Sequence, residues 1–146
     1  MGKRIIDVWA QNLLKQPFQW GITDCHQVLY QFVKLNNPNW SDPLRVGRLK
    51  GTYSTWREAN EVAKTLDMPE AFSHLGYNRR PINRVEAGDI VVIETKNRAW
   101  DLYMPVVFGQ TVLVGDPKTK LLRLCHIDEF ERSFEVYRRD ECQQPY

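Results

Sequence analysis

The chain has 146 residues, the length of one compact domain with its own hydrophobic core. Hydrophobic residues make up 42% of it and charged residues 26%, which excludes a disordered, collagen-like or low-complexity chain. The formal net charge of +2 is too small to imply an electropositive surface, and the arginine clusters accompany no nucleic-acid-binding motif. We therefore predict no nucleic-acid partner and interpret those clusters as solvated faces.

No segment is long and apolar enough to span a membrane, and the N-terminal residues lack the apolar core of a secretory signal. These features predict a protein that is made in the cytoplasm and has no membrane span. Its three cysteines, Cys25, Cys125 and Cys142, are far apart and cannot form a disulfide framework. The ligands of structural zinc sites usually come in pairs separated by a few residues. In this chain the Cys-His pairs are adjacent, so their side chains diverge on a helix and point to opposite faces of a strand. We therefore expect no metal and no other cofactor.

Helical signals dominate the first half of the chain. Pro17 ends an initial amphipathic pattern, and Thr23 and Asp24 are candidate N-caps for the helix that follows. Thr55 and Glu58 have the spacing of a capping box. From these signals we predict four helices, over Arg4 to Lys15, from Cys25 onward, from Thr55 to about Thr65 and over Pro69 to Leu75.

Short β-rich runs dominate the second half. Five strands are predicted, over Asp89 to Glu94, Leu102 to Phe108, Thr111 to Val114, Leu121 to Cys125 and Phe134 to Tyr137. Gly109-Gln110 is a candidate tight hairpin and Asp116 to Thr119 a looser turn, so neighbouring strands are expected to be antiparallel. Helices followed by strands predict one α+β domain over 1–146, with a helical half over about 4–75 and a sheet half over about 88–139.

Cys25 is the best candidate for a reactive side chain. A thiol in the first turn of a helix lies at the positive end of the helix dipole, beside amide groups that have no partner within the helix. Both features favour the thiolate, which is the nucleophilic form. Position alone leaves a second interpretation open, in which Cys25 is a small buried apolar residue.

The sequence around Cys25 points to a known family. The string Pro17-Phe18-Gln19-Trp20-Gly21-Ile22-Thr23-Asp24-Cys25 resembles the nucleophile signature of the NlpC-like, papain-like cysteine peptidases. Glu86-Ala87-Gly88-Asp89-Ile90-Val91-Val92 is similar to the opening of that family's first central strand, and the segment from Leu121 to Arg139 is similar to its last strands. The long middle of the chain, including Gly51-Thr52-Tyr53-Ser54, looks most like the small variants of this fold that bacteriophage tail-gene clusters encode. The residues that carry the signature are Trp20, Gly21, Asp24, Gly88 and Asp89.

The resemblance implies a papain-like α+β domain that cleaves the peptide cross-links of bacterial cell wall. In such a domain Cys25 is the nucleophile, a histidine on the second strand is its base, and a third polar residue orients that histidine. Alignment on Gly88-Asp89 places the expected histidine at Met104 and the third polar position near Gly115 or Asp116. Methionine cannot accept the thiol proton, so the nucleophile is present and its expected base is absent.

The chain has three histidines that could replace the missing base. His26 follows Cys25 on the same helix, where adjacent side chains diverge by about 100°, so we predict that it cannot easily reach the thiol. His74 has no motif around it and is expected to face solvent or to cap a helix. His126 lies in the sheet half but on a later strand than the family's base, and it is the remaining candidate, with Asp116 as an orienting group.

Two functions follow from these observations. The first is a structural protein of a phage tail tip, located in the virion, that keeps a peptidase-like fold and has lost its catalytic base. Its partners would be the tail hub and distal tail proteins. In this interpretation Trp20 is buried, Gly21 provides a turn and Asp24 caps the helix that follows. The second is an active virion-associated endopeptidase that uses Cys25 to open peptidoglycan during infection, with His126 or another group as its base.

Overall fold

The computed structural model describes residues 3–36, 49–81, 84–94, 101–130 and 134–139. Helices come first and strands afterwards, which confirms the predicted α+β class with its N-terminal helices and antiparallel sheet. The helices are α1 (Lys3–Leu13), α2 (Cys25–Asn36), α3 (Trp56–Ala63) and α4 (Met68–His74). The strands are β1 (Tyr77–Arg80), β2 (Ile90–Ile93), β3 (Leu102–Phe108), β4 (Thr111–Asp116), β5 (Leu121–His126) and β6 (Glu135–Arg139).

The six strands form one sheet in the order β1-β6-β2-β3-β4-β5, and all the paired neighbours are antiparallel. Phe108 pairs with Thr111 across the predicted tight hairpin, and Asp116 pairs with Leu121 across the predicted looser turn. β1 is an additional strand that was not predicted from the sequence. Its residues carry no alternating apolar pattern, and the strand exists because Tyr77 to Arg80 pair along the length of β6. Cys142 lies outside the described residues.

The two faces of the sheet pack into different hydrophobic clusters. The helix-side cluster contains α1, α2 and α4 residues such as Phe32 and Phe72, together with Tyr103 and Val107 of β3. The opposite-side cluster contains sheet residues such as Met104, closed over by loop residues. Because successive side chains of a strand point to opposite faces, residues 103 and 107 share one face and residue 104 lies on the other.

Gly88 and Asp89 organise the entry into β2. Gly88 has a φ of +105°, a backbone conformation that side chains rarely adopt. Asp89 is buried, and its carboxylate accepts a hydrogen bond from the Glu86 N–H at 2.9 Å. It also pairs with Arg138 of β6, with Nε to Oδ1 at 3.0 Å and Nη2 to Oδ2 at 2.7 Å. The Gly-Asp pair thus has a structural role, since it joins the turn before β2 to β6.

The helices of the described residues are all too short or too polar to cross a bilayer.

Candidate active site around Cys25

The start of α2 is fixed by the carboxylate of Asp24. Its Oδ1 accepts hydrogen bonds from the backbone N–H groups of His26 at 3.0 Å and Gln27 at 3.1 Å, and its Oδ2 accepts one from Gly21 at 2.7 Å. Asp24 is therefore the N-cap, as the sequence predicted. Thr23, the other candidate, holds the preceding loop instead: its Oγ1 accepts from the Gln19 N–H at 2.8 Å and donates to the Pro17 carbonyl at 2.7 Å.

Gly21 permits a close approach between two loops. Its φ is +84°, and a Cβ atom there would clash with the carbonyl oxygen of Tyr53. The Gly21 carbonyl accepts a hydrogen bond from the Gly51 N–H at 3.0 Å. The loop before Cys25 is thereby held to the segment before α3, so the glycine supplies the turn that the sequence predicted. Trp20, which we expected to be buried, is half-buried and packs edge-on against Phe18.

Cys25 has a histidine neighbour that the sequence analysis excluded. The Sγ atom lies 3.7 Å from Nδ1 of His26, so the prediction that His26 cannot reach the thiol is wrong. Helical geometry separates the two Cβ directions, but Nδ1 is close to the backbone and the ring turns that edge toward the thiol. Burial lowers the pKa of His26 to about 4, although the nearby Asp24 carboxylate opposes the shift. The imidazole beside Cys25 is therefore neutral at pH 7.

The thiol borders a small apolar cavity between α2 and the sheet. The cavity measures about 20 Å³, which is room for one water molecule and not for a peptide. Most of the residues that line it are apolar: Val28 of α2, Leu102, Met104 and Pro105 of β3, Leu113, Val114 and Gly115 of β4, and Leu122 of β5. Thr23, Cys25 and Tyr103 are the lining residues whose side chains carry a hydroxyl or thiol group.

Met104 is not the β3 residue that faces α2. Its side chain packs in the opposite-side cluster, whereas Tyr103 and Val107 pack in the helix-side cluster. Position 104, where the resemblance placed the histidine, therefore lies on the other face of the sheet, and the positions of β3 that face the helices are 103, 105 and 107. Pro105 and Val107 carry no proton acceptor. Tyr103 stays protonated at neutral pH, because burial raises the pKa of its phenol.

The space beside Gly115, where the resemblance places the third polar residue, is occupied by the aromatic ring of Phe18. A Cβ atom at Gly115 would lie 2.6 Å from Cδ2 and 2.8 Å from Cε2 of Phe18. No side chain fits there while Phe18 stays in place. The next residue, Asp116, ends β4, and its Oδ1 accepts a hydrogen bond from the Lys118 N–H at 2.9 Å, which lowers the pKa of the carboxyl. Asp116 thus stabilises a turn.

The structure does not bring His126 to Cys25. His126 lies four residues beyond Leu122 on β5, a separation of about 13 Å along the strand. Its side chain is 49% exposed, and Nδ1 accepts a hydrogen bond from the Asp128 N–H at 3.1 Å. It caps the 3-10 turn Ile127–Glu129. His74 faces solvent, as predicted, with 69% of its side chain exposed. Within the described residues, no three His, Cys, Asp or Glu side chains form a metal-binding group.

Comparison with protein families gives one match, to the family described as "Domain of unknown function (DUF6950)", over residues 3–136. The chain belongs to this DUF6950 family. A search of the curated proteins and a search of the solved structures each give no match. The matched range runs from α1 into β6, so both the Cys25 region and the whole described sheet up to Val136 are part of the family domain.

Tyr53 belongs to the Cys25 region of the DUF6950 chain, and the sequence analysis gave it no role. Its hydroxyl oxygen accepts a hydrogen bond from Nε2 of Gln27 at 3.4 Å. Burial, with a further contribution from the Asp24 carboxylate, raises the pKa of the phenol well above its usual value. No local pattern marks Tyr53, because its contacts are with α2, more than twenty residues away. The site as a whole offers a thiol, a neutral imidazole and two protonated phenols.

Proposed function

We propose that this chain is a structural protein of a bacteriophage tail tip, with a cysteine-peptidase-like fold and no working catalytic site. The observation that carries the proposal is the environment of the Cys25 thiol. Its cavity has room for only one water molecule, and Pro105 and Gly115 of the sheet border it without offering a side-chain proton acceptor. A peptidase needs a base within reach of the nucleophile and a groove that admits the scissile peptide.

Cys25 itself has a packing role in this proposal. It is half-buried and packs against the small hydrophobic cluster that Tyr53, Ala59 and Ala63 form. The nucleophile-like string around it is explained by local structure, since Gly21 provides a turn and Asp24 caps α2. These are the roles that a scaffold needs, and they do not require a reactive thiol.

The tail-tip setting rests on the sequence resemblance of the long middle of the chain, including Gly51-Thr52-Tyr53-Ser54, to the small variants encoded in phage tail-gene clusters. This resemblance implies that the partners are the tail hub and distal tail proteins and that the protein is located in the virion. Contacts with those partners would use apolar side chains that the described surface exposes. Ile5 and Val8, one turn apart on α1, are 48% and 52% exposed, and Trp56, Phe108 and Leu121 are also exposed.

The proposal is tested in a phage that encodes this chain, by deleting the gene and, separately, by introducing Cys25→Ala. We expect the deletion to prevent assembly of complete tails, as seen by electron microscopy. We expect Cys25→Ala particles to contain the protein and to form plaques as wild type does. Complete tails after the deletion would contradict the structural role, and complete but non-infectious Cys25→Ala particles would contradict the absence of catalysis.

A second candidate function, an active peptidoglycan endopeptidase, is favoured by the 3.7 Å separation between Cys25 Sγ and His26 Nδ1. In that mechanism Nδ1 accepts the thiol proton, the thiolate attacks the cross-link carbonyl, and the leaving amine takes the proton from Nδ1. Water then hydrolyses the thioester. A base with a pKa of about 4 removes a thiol proton poorly, which is why we favour the structural role.

A further inference from the structure

The outer side of α1 carries charged and apolar side chains together. The inner side of the helix enters the helix-side cluster through Ile6, Ala10 and Leu13. On the outer side two apolar residues, Ile5 and Val8, are exposed, and two residues of opposite charge, Arg4 and Asp7, are exposed beside them. The salt bridges between described residues involve neither of these two charged side chains. Both charges are therefore available to another molecule.

The exposed surface continues from α1 onto the end of β3. Arg4, Asp7 and Gln11 of α1 line a shallow groove together with Phe108, which is 41% exposed. The groove thus combines polar groups of α1 with an exposed aromatic residue of the sheet. We refer to the residues Arg4, Ile5, Asp7, Val8 and Phe108 as the α1 surface.

Two pairs of residues on α1 share nearly the same centre along the helix. Arg4 and Asp7 are three residues apart, and so are Ile5 and Val8. The midpoints of the two pairs therefore lie only about 1.5 Å apart, on either side of position 6. At about 100° per residue, Asp7 and Ile5 lie at opposite edges of the exposed side, with Arg4 and Val8 between them. The charged pair and the apolar pair are thus side by side at one level of the helix.

We propose that the α1 surface binds the same surface of a second copy of this chain, with the two α1 helices antiparallel about a two-fold axis. An interface of this kind joins a surface to itself, so every group needs its complement on the same surface. An axis at the level of position 6 places Arg4 of one copy opposite Asp7 of the other, and Ile5 opposite Val8. Each contact occurs twice, and the second copy also covers the groove beside Phe108.

The size of the α1 surface predicts a weak dimer. A helix of 11 residues and one neighbouring aromatic side chain offer less than the roughly 800 Å² per partner of a standard interface. We therefore expect a dissociation constant of about 10–100 μM. The dimer goes beyond the tail-tip proposal and does not depend on it. In that setting Trp56 and Leu121 stay exposed for contacts with the other tail proteins.

Exchange of the two charges tests the dimer in the purified protein. Sedimentation velocity at about 1–300 μM measures the dissociation constant. Arg4→Asp and Asp7→Arg each replace two attractive contacts with two repulsive ones, so we expect each to raise that constant about tenfold or more. The double variant restores opposite charges in exchanged positions and should return to within about threefold of wild type. Arg57→Asp, at an exposed position of α3, controls for net charge and should have less than about a twofold effect.

Several outcomes would overturn the proposed dimer. A wild-type monomer at every concentration would assign the α1 surface to a different protein. An unchanged dimer in both single variants would place the interface elsewhere, and a double variant that stays dissociated would contradict the pairing of Arg4 with Asp7. Equal weakening by Arg57→Asp would show that net charge controls association. Circular dichroism verifies that the variants are folded, and the phage experiments above remain a separate test of the tail-tip role.

Discussion

The ring of Phe18 lies over Gly115, in the space that a side chain on β4 would otherwise enter. The segment before α2 is held there by the edge strand β5: the Phe18 N–H donates to the Lys120 carbonyl at 3.0 Å, and Pro17 forms a bridge with Leu121. The same ring packs edge-on against Trp20 with centroids 5.0 Å apart. Phe18 therefore occupies the space beside Gly115, which is one of the positions where the resemblance places an orienting polar residue.

Adding one methyl group at position 115 should destabilise the protein. We expect Gly115→Ala to lower the free energy of unfolding by about 1–3 kcal/mol, because its Cβ atom would overlap the Phe18 ring. In a Phe18→Leu background the same change should cost about 1 kcal/mol less, since the smaller side chain leaves room. Urea denaturation of the four proteins measures the coupling. A zero coupling energy would mean that Phe18 does not limit the space at position 115.

Gly21→Ala should destabilise the protein more than Gly109→Ala. Both glycines have positive φ, +84° and +50°, so each alanine loses about 1–2 kcal/mol from backbone strain. Only at position 21 does the new Cβ also clash, with the carbonyl oxygen of Tyr53. We expect a total cost of about 3 kcal/mol or more there. Thermal and urea unfolding of both variants check this, and equal losses would argue against the close contact between the two loops.

Arg138→Met should lower the free energy of unfolding more than Arg79→Met does. Arg138 pairs with Asp89, whose side chain is only 4% exposed, whereas Arg79 pairs with Glu94 and Glu135, which are 77% and 40% exposed. Loss of Arg138 leaves a buried carboxylate without its cation, at an expected cost of about 2–4 kcal/mol in the free energy of unfolding. Loss of Arg79 should cost about 1 kcal/mol or less. The reverse order in urea denaturation would refute a structural role for the Gly88-Asp89 pair.

The buried imidazole of His26 should make stability depend on pH. Its pKa is about 4 in the folded protein and 6.5 without burial, so between these values the unfolded chain binds a proton that the folded chain does not. Stability is therefore lost as pH falls from about 6.5 toward 4. Relative to His26→Gln, wild type should lose about 3 kcal/mol of unfolding free energy between pH 7 and pH 4. If the free energies of unfolding of the two proteins change equally with pH, the imidazole of His26 is solvated rather than buried.

The start of α2 was predictable because its signals are local. Asp24 caps the residues that immediately follow it, and Gly21 makes a turn three residues earlier, so both roles can be seen in a short string. The bounds of β3 were predicted for the same reason, since a run of apolar residues ends at the Gly109-Gln110 hairpin. Such features depend on neighbours along the chain and need no knowledge of the packed structure.

The features that decide the chemistry of the site depend on contacts between distant segments. The face on which Met104 lies is set by the strand register, and a change of one residue exchanges the two faces. The contact between Phe18 and Gly115 joins residues almost a hundred positions apart. The 3.7 Å approach of His26 to Cys25 depends on how the ring is packed rather than on the spacing of the two residues. No pattern in the sequence specifies these three relationships.

The most direct test of the closed, non-catalytic site is digestion of purified peptidoglycan by the purified protein, with released muropeptides measured by mass spectrometry. Cys25→Ala and His26→Gln are assayed in parallel, and an established endopeptidase is the positive control. We predict that wild type releases no more muropeptides than Cys25→Ala. Release by wild type that is abolished in Cys25→Ala would contradict this account, and its parallel loss in His26→Gln would identify His26 as the base.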